Sequence, residues 1–245
     1  MRVKNDIFEA VAAGKKLLAV LIDPDRFELR NAAEFLRKIP SCTTHLFIGG
    51  SSVEAGKTEA CVKAVKAETS LPVILFPGDH SHITPEADAL LFLSLISGRN
   101  PEYLIGQQVK SVQKLRESKL EVIPTGYILV DGGNFSAVER VSNTRPLDPG
   151  DPEMIVNTAL AGQYSGKKLI YLEAGSGAKN AISEAVVSAV KNAIDIPLIV
   201  GGGIRSQEQL ESIYEAGADL IVIGTAFEND SFVFQRNPGK ITHLG

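Results

Sequence analysis

Eight short apolar runs recur along the chain, each dense in Val, Ile and Leu. They are LLAVLID (17–23), HLFIGGS (45–51), PVILFPG (72–78), ADALLFLSLI (87–96), EVIPTGYILVDG (121–132), KLIYLEAG (168–175), PLIVGGG (197–203) and ADLIVIGT (218–225). A strand with one wet face alternates apolar and polar residues, whereas runs this continuous must be covered on both faces, as in a parallel sheet. Between them lie AAEFLRKI, EAGKTEACVKAVKAE, PEYLIGQQVKSVQKLRES and SEAVVSAVKNA, where apolar residues return at the three- and four-residue spacing of a helix. Eight strands in this order within 245 residues predict a (β/α)8 TIM barrel. The rival is an open doubly wound sheet, which places its phosphate loop after the first strand, and here the glycine loops come late. Between the third and fourth runs lies only DHSHITPE, too short for a helix that crosses over the sheet. The barrel is therefore expected to be modified, with an extended segment in place of its third helix. No composition shift or long linker divides the chain, so residues 1–245 read as a single domain.

Charge and cysteine usage remove several function classes. A net charge of −4 and dispersed Lys and Arg give no basic face for a phosphate backbone, so no nucleic-acid partner is expected. Cys42 and Cys61 fit no metal spacing and read as reduced and inert. The opening MRVKNDIFEAV lacks a signal-peptide core, and charge or glycine interrupts every apolar run before it reaches membrane-spanning length. A cytoplasmic protein without a transmembrane segment is expected.

In such barrels the loops at the C-terminal strand ends carry the chemistry, and phosphate commonly sits after strands seven and eight. Those ends read GGGIRS (201–206) and GTAF (224–227). Glycine lets backbone N–H groups approach an oxyanion, and a short helix starting at Thr225 or Ala226 would aim its dipole at it. Gly175, Ser176 and Gly177 add a third edge from strand six. One glycine loop is usually a tight turn; three on consecutive strands read as an anion cradle. Glu173 stands two residues before the third loop and faces the barrel mouth on its own, placed to accept a hydroxyl proton from a substrate whose phosphate occupies the cradle. The structural alternative is a carboxylate paired with a core Lys or Arg, and no strand interior supplies one.

The first strand ends in LIDPD. Asp25 reads as a helix N-cap with Glu28 closing a capping box, which leaves Asp23 at the mouth. The second strand ends in IGGSS, so the Ser51 hydroxyl is expected beside Asp23. One carboxylate and one hydroxyl, completed by water and substrate phosphate, suit Mg²⁺. His80 and His82 lack a third partner and read as solvent-facing loop residues.

Taken together, LIDPD, FIGGS, GYILVDGG with SNTRPL, YLEAGSGA, VGGGIRS and VIGTAF, in this order and spacing, resemble the geranylgeranylglyceryl phosphate synthase family, which includes bacterial heptaprenylglyceryl phosphate synthases. The resemblance spans essentially the whole chain. VGGGIRS is shared with many phosphate-binding barrels, whereas YLEAGSGA with LIDPD is particular to this family. It implies a barrel without helix three and an ether-forming prenyltransferase of phospholipid biosynthesis. That enzyme joins sn-glycerol 1-phosphate to a polyprenyl diphosphate, with geranylgeranyl diphosphate the expected donor.

By position, the resemblance assigns Asp23 and Ser51 to Mg²⁺. Tyr171, Leu172, Glu173, Ala174, Gly175, Ser176 and Gly177, with Gly202, Gly203, Gly224 and Thr225, fall to glycerol phosphate. Glu173 matches the base and Tyr171 a contact to the same substrate. Leu21 departs from the pattern, standing where some bacterial members carry Lys. The prenyl tail is expected to leave over the flank opened by the missing helix, past Leu91, Phe92 and Tyr103 or their neighbours. Each of these taken singly reads as an ordinary core residue; Tyr127 is the better lining candidate. The family also implies a homo-oligomer, dimer or hexamer. Two other readings stay open: a sugar-phosphate isomerase or lyase, disfavoured because strands three, four and seven end without an acid or base, and a non-catalytic phosphometabolite-binding module.

Overall fold

The computed structural model describes residues 2–224. The apolar runs form eight parallel strands: β1 (Leu17–Ile22), β2 (His45–Ile48), β3 (Val73–Leu75), β4 (Ala89–Leu95), β5 (Glu121–Leu129), β6 (Leu169–Glu173), β7 (Leu198–Gly201) and β8 (Leu220–Ile223). They close in chain order, with β8 pairing back onto β1.

Alternation along the strands builds two apolar layers. One set of side chains, including Leu18, Val20, Ile48, Ile170 and Leu172, packs with helix residues such as Val62, Val65, Val187 and Leu210 between barrel and outer ring. The other set, including Ala19, Phe47, Leu91, Tyr127, Tyr171 and Ile199, fills the barrel interior. Burying each such aliphatic or aromatic side chain contributes about 1.5–3 kcal/mol, so the continuous apolar runs are energetically needed on both faces.

The helices are α1 (Val3–Ala12), α2 (Ala32–Lys38), α3 (Lys57–Glu68), α4 (Gln107–Arg116), α5 (Ala137–Ser142), α6 (Pro152–Tyr164), α7 (Glu184–Ala193) and α8 (Gln207–Glu215). Their starts follow local chemistry. The Ser183 and Ser206 side chains accept from the N–H groups of Val186 and Gln209, and Asp151 does so from Met154 ahead of Pro152. The buried Val186, Val187 and Val190 then give α7 its inner face. Helix α1 precedes the first strand. Its Val3 and Ile7, four residues apart, pack into the interior cluster and close the N-terminal end of the barrel. None of the described helices is long and apolar enough to cross a membrane.

The expected modification is present: between β3 and β4 there is one 3₁₀ turn, His80–His82, and no α-helix. Two local expectations differ from the structure. No helix starts at Asp25; its Oδ1 instead accepts the N–H of Glu54, 3.2 Å away on the loop after β2. A capping box exists elsewhere, at Ser136 and Glu139 before α5. His82 is not solvent-facing but only 7% exposed. A solitary histidine between loop residues gives no periodic sign of burial, because the covering chain comes from a different part of the sequence. Cys42 and Cys61 are both free thiols, and burial pushes the Cys61 thiol up to about 12.

Candidate active site

Glu173 ends β6 opposite Gly201 in the parallel register. Leu169, Tyr171 and Glu173 share the inward parity of the strand, so the carboxylate follows the Tyr171 ring toward the mouth. It is 6% exposed and makes no ion pair among the described residues; its Oε1 accepts the N–H of Gly175 at 2.8 Å. Burial raises its pKa above the ordinary carboxylate value, against the opposing pull of the Tyr171 hydroxyl and the Gly175 N–H.

Tyr171 Oη is fully buried and has no hydrogen-bond partner of acceptable geometry among the described residues. The Tyr171 hydroxyl and the Glu173 carboxylate are nonetheless close enough for each to shift the other's titration. Burial, then the Glu173 charge, holds its phenol well above the usual tyrosine range, so it stays a hydroxyl. The two side chains crowd the neighbouring strand: a Cβ on Gly201 would sit 2.5 Å from Tyr171 Oη and 2.9 Å from Glu173 Oε2.

These groups open into one cavity of about 410 Å³ at the C-terminal ends of the strands. It brings together Asp23, Ser51, Tyr171, Glu173, Ser176, Gly177, Gly202, Gly203 and Gly224, nine of the residues singled out from the sequence. Leu172 and Ala174 do not line it. Their side chains lie in the outer apolar layer, and the Ala174 N–H is already given to Gly201 O at 3.0 Å. Gly175 has committed its N–H to Glu173. Thr225 and Ala226 lie outside the described residues.

Sequence reasoning passed over three guanidinium groups on the wall, those of Arg26, Arg140 and Arg205. Arg205 lies within the GGGIRS loop and donates to the carbonyls of Ala178 and Lys179, tying the β7 loop to the β6 loop. Arg26 lies 3.7 Å from Asp23 Oδ2. Arg140 comes from the short helix α5, which has no apolar periodicity to announce it.

Asp23 and Ser51 fit a hard divalent cation. The Asp23 Oδ1 atom receives the Asp25 N–H at 3.0 Å, and a Cβ on Gly50 would lie only 3.4 Å from it, so the glycine leaves the space beside the carboxylate clear. The described residues hold no group of three or more His, Cys, Asp or Glu that could bind a metal. A cation here would thus take one carboxylate, one hydroxyl and otherwise water and substrate oxygens, as Mg²⁺ commonly does.

A second, apolar cavity joins the first through Gly50, Ser51, Phe76, Tyr127 and Val138. It runs over β4 toward α4 along the flank that lacks a helix, lined by Leu91, Phe92 and Tyr103. At the junction Phe76, Tyr127 and Tyr171 pack as one aromatic cluster, with Tyr127 and Tyr171 centroids 5.3 Å apart and edge-on. Leu91, Phe92, Tyr103 and Tyr127 all line this cavity, although the first three, taken singly, read in the sequence as ordinary core residues.

Residues 12–239 match the model of the PcrB family. The chain belongs to the PcrB family. It is 57% identical over 231 residues to the geranylgeranylglyceryl phosphate synthase of Zunongwangia profunda, covering 94% of this chain and 99% of that protein. It is 51% identical over 233 residues to the synthase of the same name from Flavobacterium johnsoniae, covering 95% and 96%. Among solved structures it is similar to (S)-3-O-geranylgeranylglyceryl phosphate synthase from Thermoplasma acidophilum in complex with sn-glycerol-1-phosphate. That match has a TM-score of 0.87 and 36% identity, covering 100% of this chain and 96% of the other. These findings establish the family that the sequence motifs resembled, and with it a prenyl-transferring enzyme on a TIM barrel.

Proposed function

We propose that this PcrB-family protein joins the C3 hydroxyl of sn-glycerol 1-phosphate to C1 of geranylgeranyl diphosphate. An ether C–O bond forms, the C1–diphosphate bond breaks, and the hydroxyl proton leaves to a base. The observation that carries this reading is the position of Glu173: a buried carboxylate with no cationic partner among the described residues, flanked by a glycine cradle and facing an apolar trough within the same opening. The T. acidophilum relative is in complex with sn-glycerol-1-phosphate, which supports that acceptor for the glycine cradle of this chain.

The residues divide the work. Ser176, Gly177, Gly202, Gly203 and Gly224 surround the acceptor phosphate. Tyr171 offers its hydroxyl to the glycerol, and Glu173 orients the C3 hydroxyl and removes its proton. Holding nucleophile and electrophile together replaces a bimolecular encounter, which matters as much as deprotonation when an allylic centre ionises. Asp23 and Ser51 would hold Mg²⁺, which when bound supplies Lewis acidity toward the departing diphosphate. The trough past Phe76, Tyr127, Leu91, Phe92 and Tyr103 takes the tail, so the ionising carbon lies at the junction of the two cavities. The protein would act in the cytoplasm as a homo-oligomer, consistent with the family.

A sugar-phosphate isomerase or lyase would need an acid and a base facing each other across the substrate, and it has no use for an apolar trough. Incubation with radiolabelled sn-glycerol 1-phosphate and prenyl diphosphates of several lengths, followed by solvent extraction, tests the proposal. Label should enter the organic phase, most with the C20 donor. Label that stays in water with every donor would refute prenyl transfer to this acceptor.

A further inference from the structure

We propose that His82 and Gly78, in the segment that stands in place of the third helix, are positioning residues for the Ser51 loop. The inference rests on the assignment of Ser51 to the cation. The segment opens the tail flank by its shortness, and it also props the loop after β2 from behind. His82 Nε2 lies 3.3 Å from the backbone N of Val53, two residues beyond Ser51. A backbone N–H can only donate, so this contact fixes the tautomer: Nε2 accepts, and the ring proton is on Nδ1. The Nδ1 atom is buried with no hydrogen-bond partner among the described residues. The ring is thus held by its packing and by the one bond to the loop.

Gly78 makes the second contact. A Cβ at this position would lie 2.5 Å from Gly50 O and 2.8 Å from both Ser51 Cα and Ser51 O. Only a residue without a side chain lets the segment run this close behind Ser51. The prop is itself anchored. The Asp79 side chain accepts the Ser81 N–H at 2.7 Å, and Gln107 Oε1 receives the His80 N–H at 2.8 Å. Lys114 Nζ reaches the carbonyls of Ser81 and Ile83 at 3.3 and 3.2 Å. The turn is therefore clamped to α4 on one side and presses on the Ser51 loop on the other. On its far side the loop is tied near its ends, by Gly49 N–H to Ile22 O at 3.1 Å and Glu54 N–H to Asp25. Removing the central support should let Ser51 drift from Asp23.

The test compares His82→Leu, which removes the acceptor, with His82→Gln, which keeps one. The readouts are hydrogen exchange at the Val53 amide in metal-free protein and the Mg²⁺ concentration giving half-maximal ether formation, with the KM for glycerol phosphate as the internal control. Loss of an outer-shell support costs roughly 10–100-fold in metal affinity. His82→Leu should therefore raise the Mg²⁺ requirement about tenfold and speed Val53 exchange, with the glycerol-phosphate KM unchanged. His82→Gln should restore both. If His82→Leu does not fold, Gly78→Ala, which pushes on Ser51 directly, should give the same raised Mg²⁺ requirement. Unchanged exchange and Mg²⁺ requirement in these variants would overturn the inference, as would an equal rise in the glycerol-phosphate KM. Ser51→Ala separates the two levels: an unaltered Mg²⁺ dependence there refutes the cation assignment, while Val53 exchange in His82→Leu still decides whether His82 holds the loop.

Discussion

Glu173 and Gly202 fill one corner of the barrel mouth together: Glu173 Oε1 lies 2.5 Å from the point where any larger residue at 202 would place its Cβ. The same point is 2.9 Å from the backbone N of Ala174 and of Gly175, and Gly202 itself has φ +85°. Alanine there would be strained by its backbone and would displace the carboxylate or the β6 loop. Gly202→Ala should destabilise the fold by about 1–3 kcal/mol and raise the glycerol-phosphate KM, because the cradle and the base move together. Thermal denaturation and steady-state kinetics with the acceptor varied would measure both. A variant with native KM and kcat would show that the corner is not part of the site.

Glu173→Gln keeps the shape of the side chain and removes the proposed base. Turnover should fall on the order of a hundredfold, with the glycerol-phosphate KM altered little, since the proposed phosphate cradle is made by Ser176, Gly177 and the β7 and β8 glycines and not by this carboxylate. Unchanged turnover would rule out Glu173 as the proton acceptor.

The same residue fixes a pH dependence. Burial raises the Glu173 pKa above its ordinary value of 4.5, so the folded state binds this proton more tightly than the unfolded chain does. Folding stability from this group is full below the unfolded pKa and declines as pH rises through the folded one. Activity runs the other way, because the base works only when deprotonated, and kcat should fall as pH drops through the raised value. Glu173→Gln should therefore be the more stable protein at neutral pH and lose that advantage in acid below the ordinary carboxylate range. Melting temperatures of the two proteins at several pH values would show the crossover; parallel curves would mean that burial does not perturb the group.

How much of this could be read in advance depended on whether a residue's role is set by its near neighbours. Leu18, Ile48 and Ile170 are apolar because both sides of each strand are covered, and that shows as continuous runs. Glu173, Asp23 and the late glycines sit at strand ends, where the barrel topology alone assigns them to the mouth. Helix α1 carried a faint sign in Val3 and Ile7, but its docking on the barrel floor is a tertiary fact. Leu172 and Ala174 fell into the motif by adjacency, and the period of two sends their side chains outward. His82 and Arg140 act across gaps of sequence, and only the folded chain brings them to Val53 and to the cavity.

Tyr171 presents a buried hydroxyl that makes no well-formed hydrogen bond among the described residues, an arrangement that costs stability unless a ligand uses it. Tyr171→Phe removes the hydroxyl and keeps the ring in the cluster with Phe76 and Tyr127. The variant should be as stable as the parent or more so, and bind glycerol phosphate about 5- to 20-fold more weakly, the loss of roughly one hydrogen bond. Calorimetry with the acceptor alone and a thermal melt would separate the effects. A destabilised variant with native affinity would place the hydroxyl in the fold rather than in substrate binding.

Asp23 and Ser51 supply too few ligands to hold a cation firmly without the substrate diphosphate, so metal removal should be easy and reversible. Chelation with EDTA should abolish label transfer to the organic phase, and added Mg²⁺ should restore it. Binding of glycerol phosphate, whose proposed cradle lies on β6 to β8, should survive chelation. Asp23→Asn should mimic the chelated enzyme, with turnover that millimolar Mg²⁺ recovers only in part, because the remaining hydroxyl and amide lack the charge that draws the ion from water. Full activity of Asp23→Asn, or of the parent protein in EDTA, would remove the cation from the reaction and leave Asp23 as the partner of Arg26 and of the turn after β1.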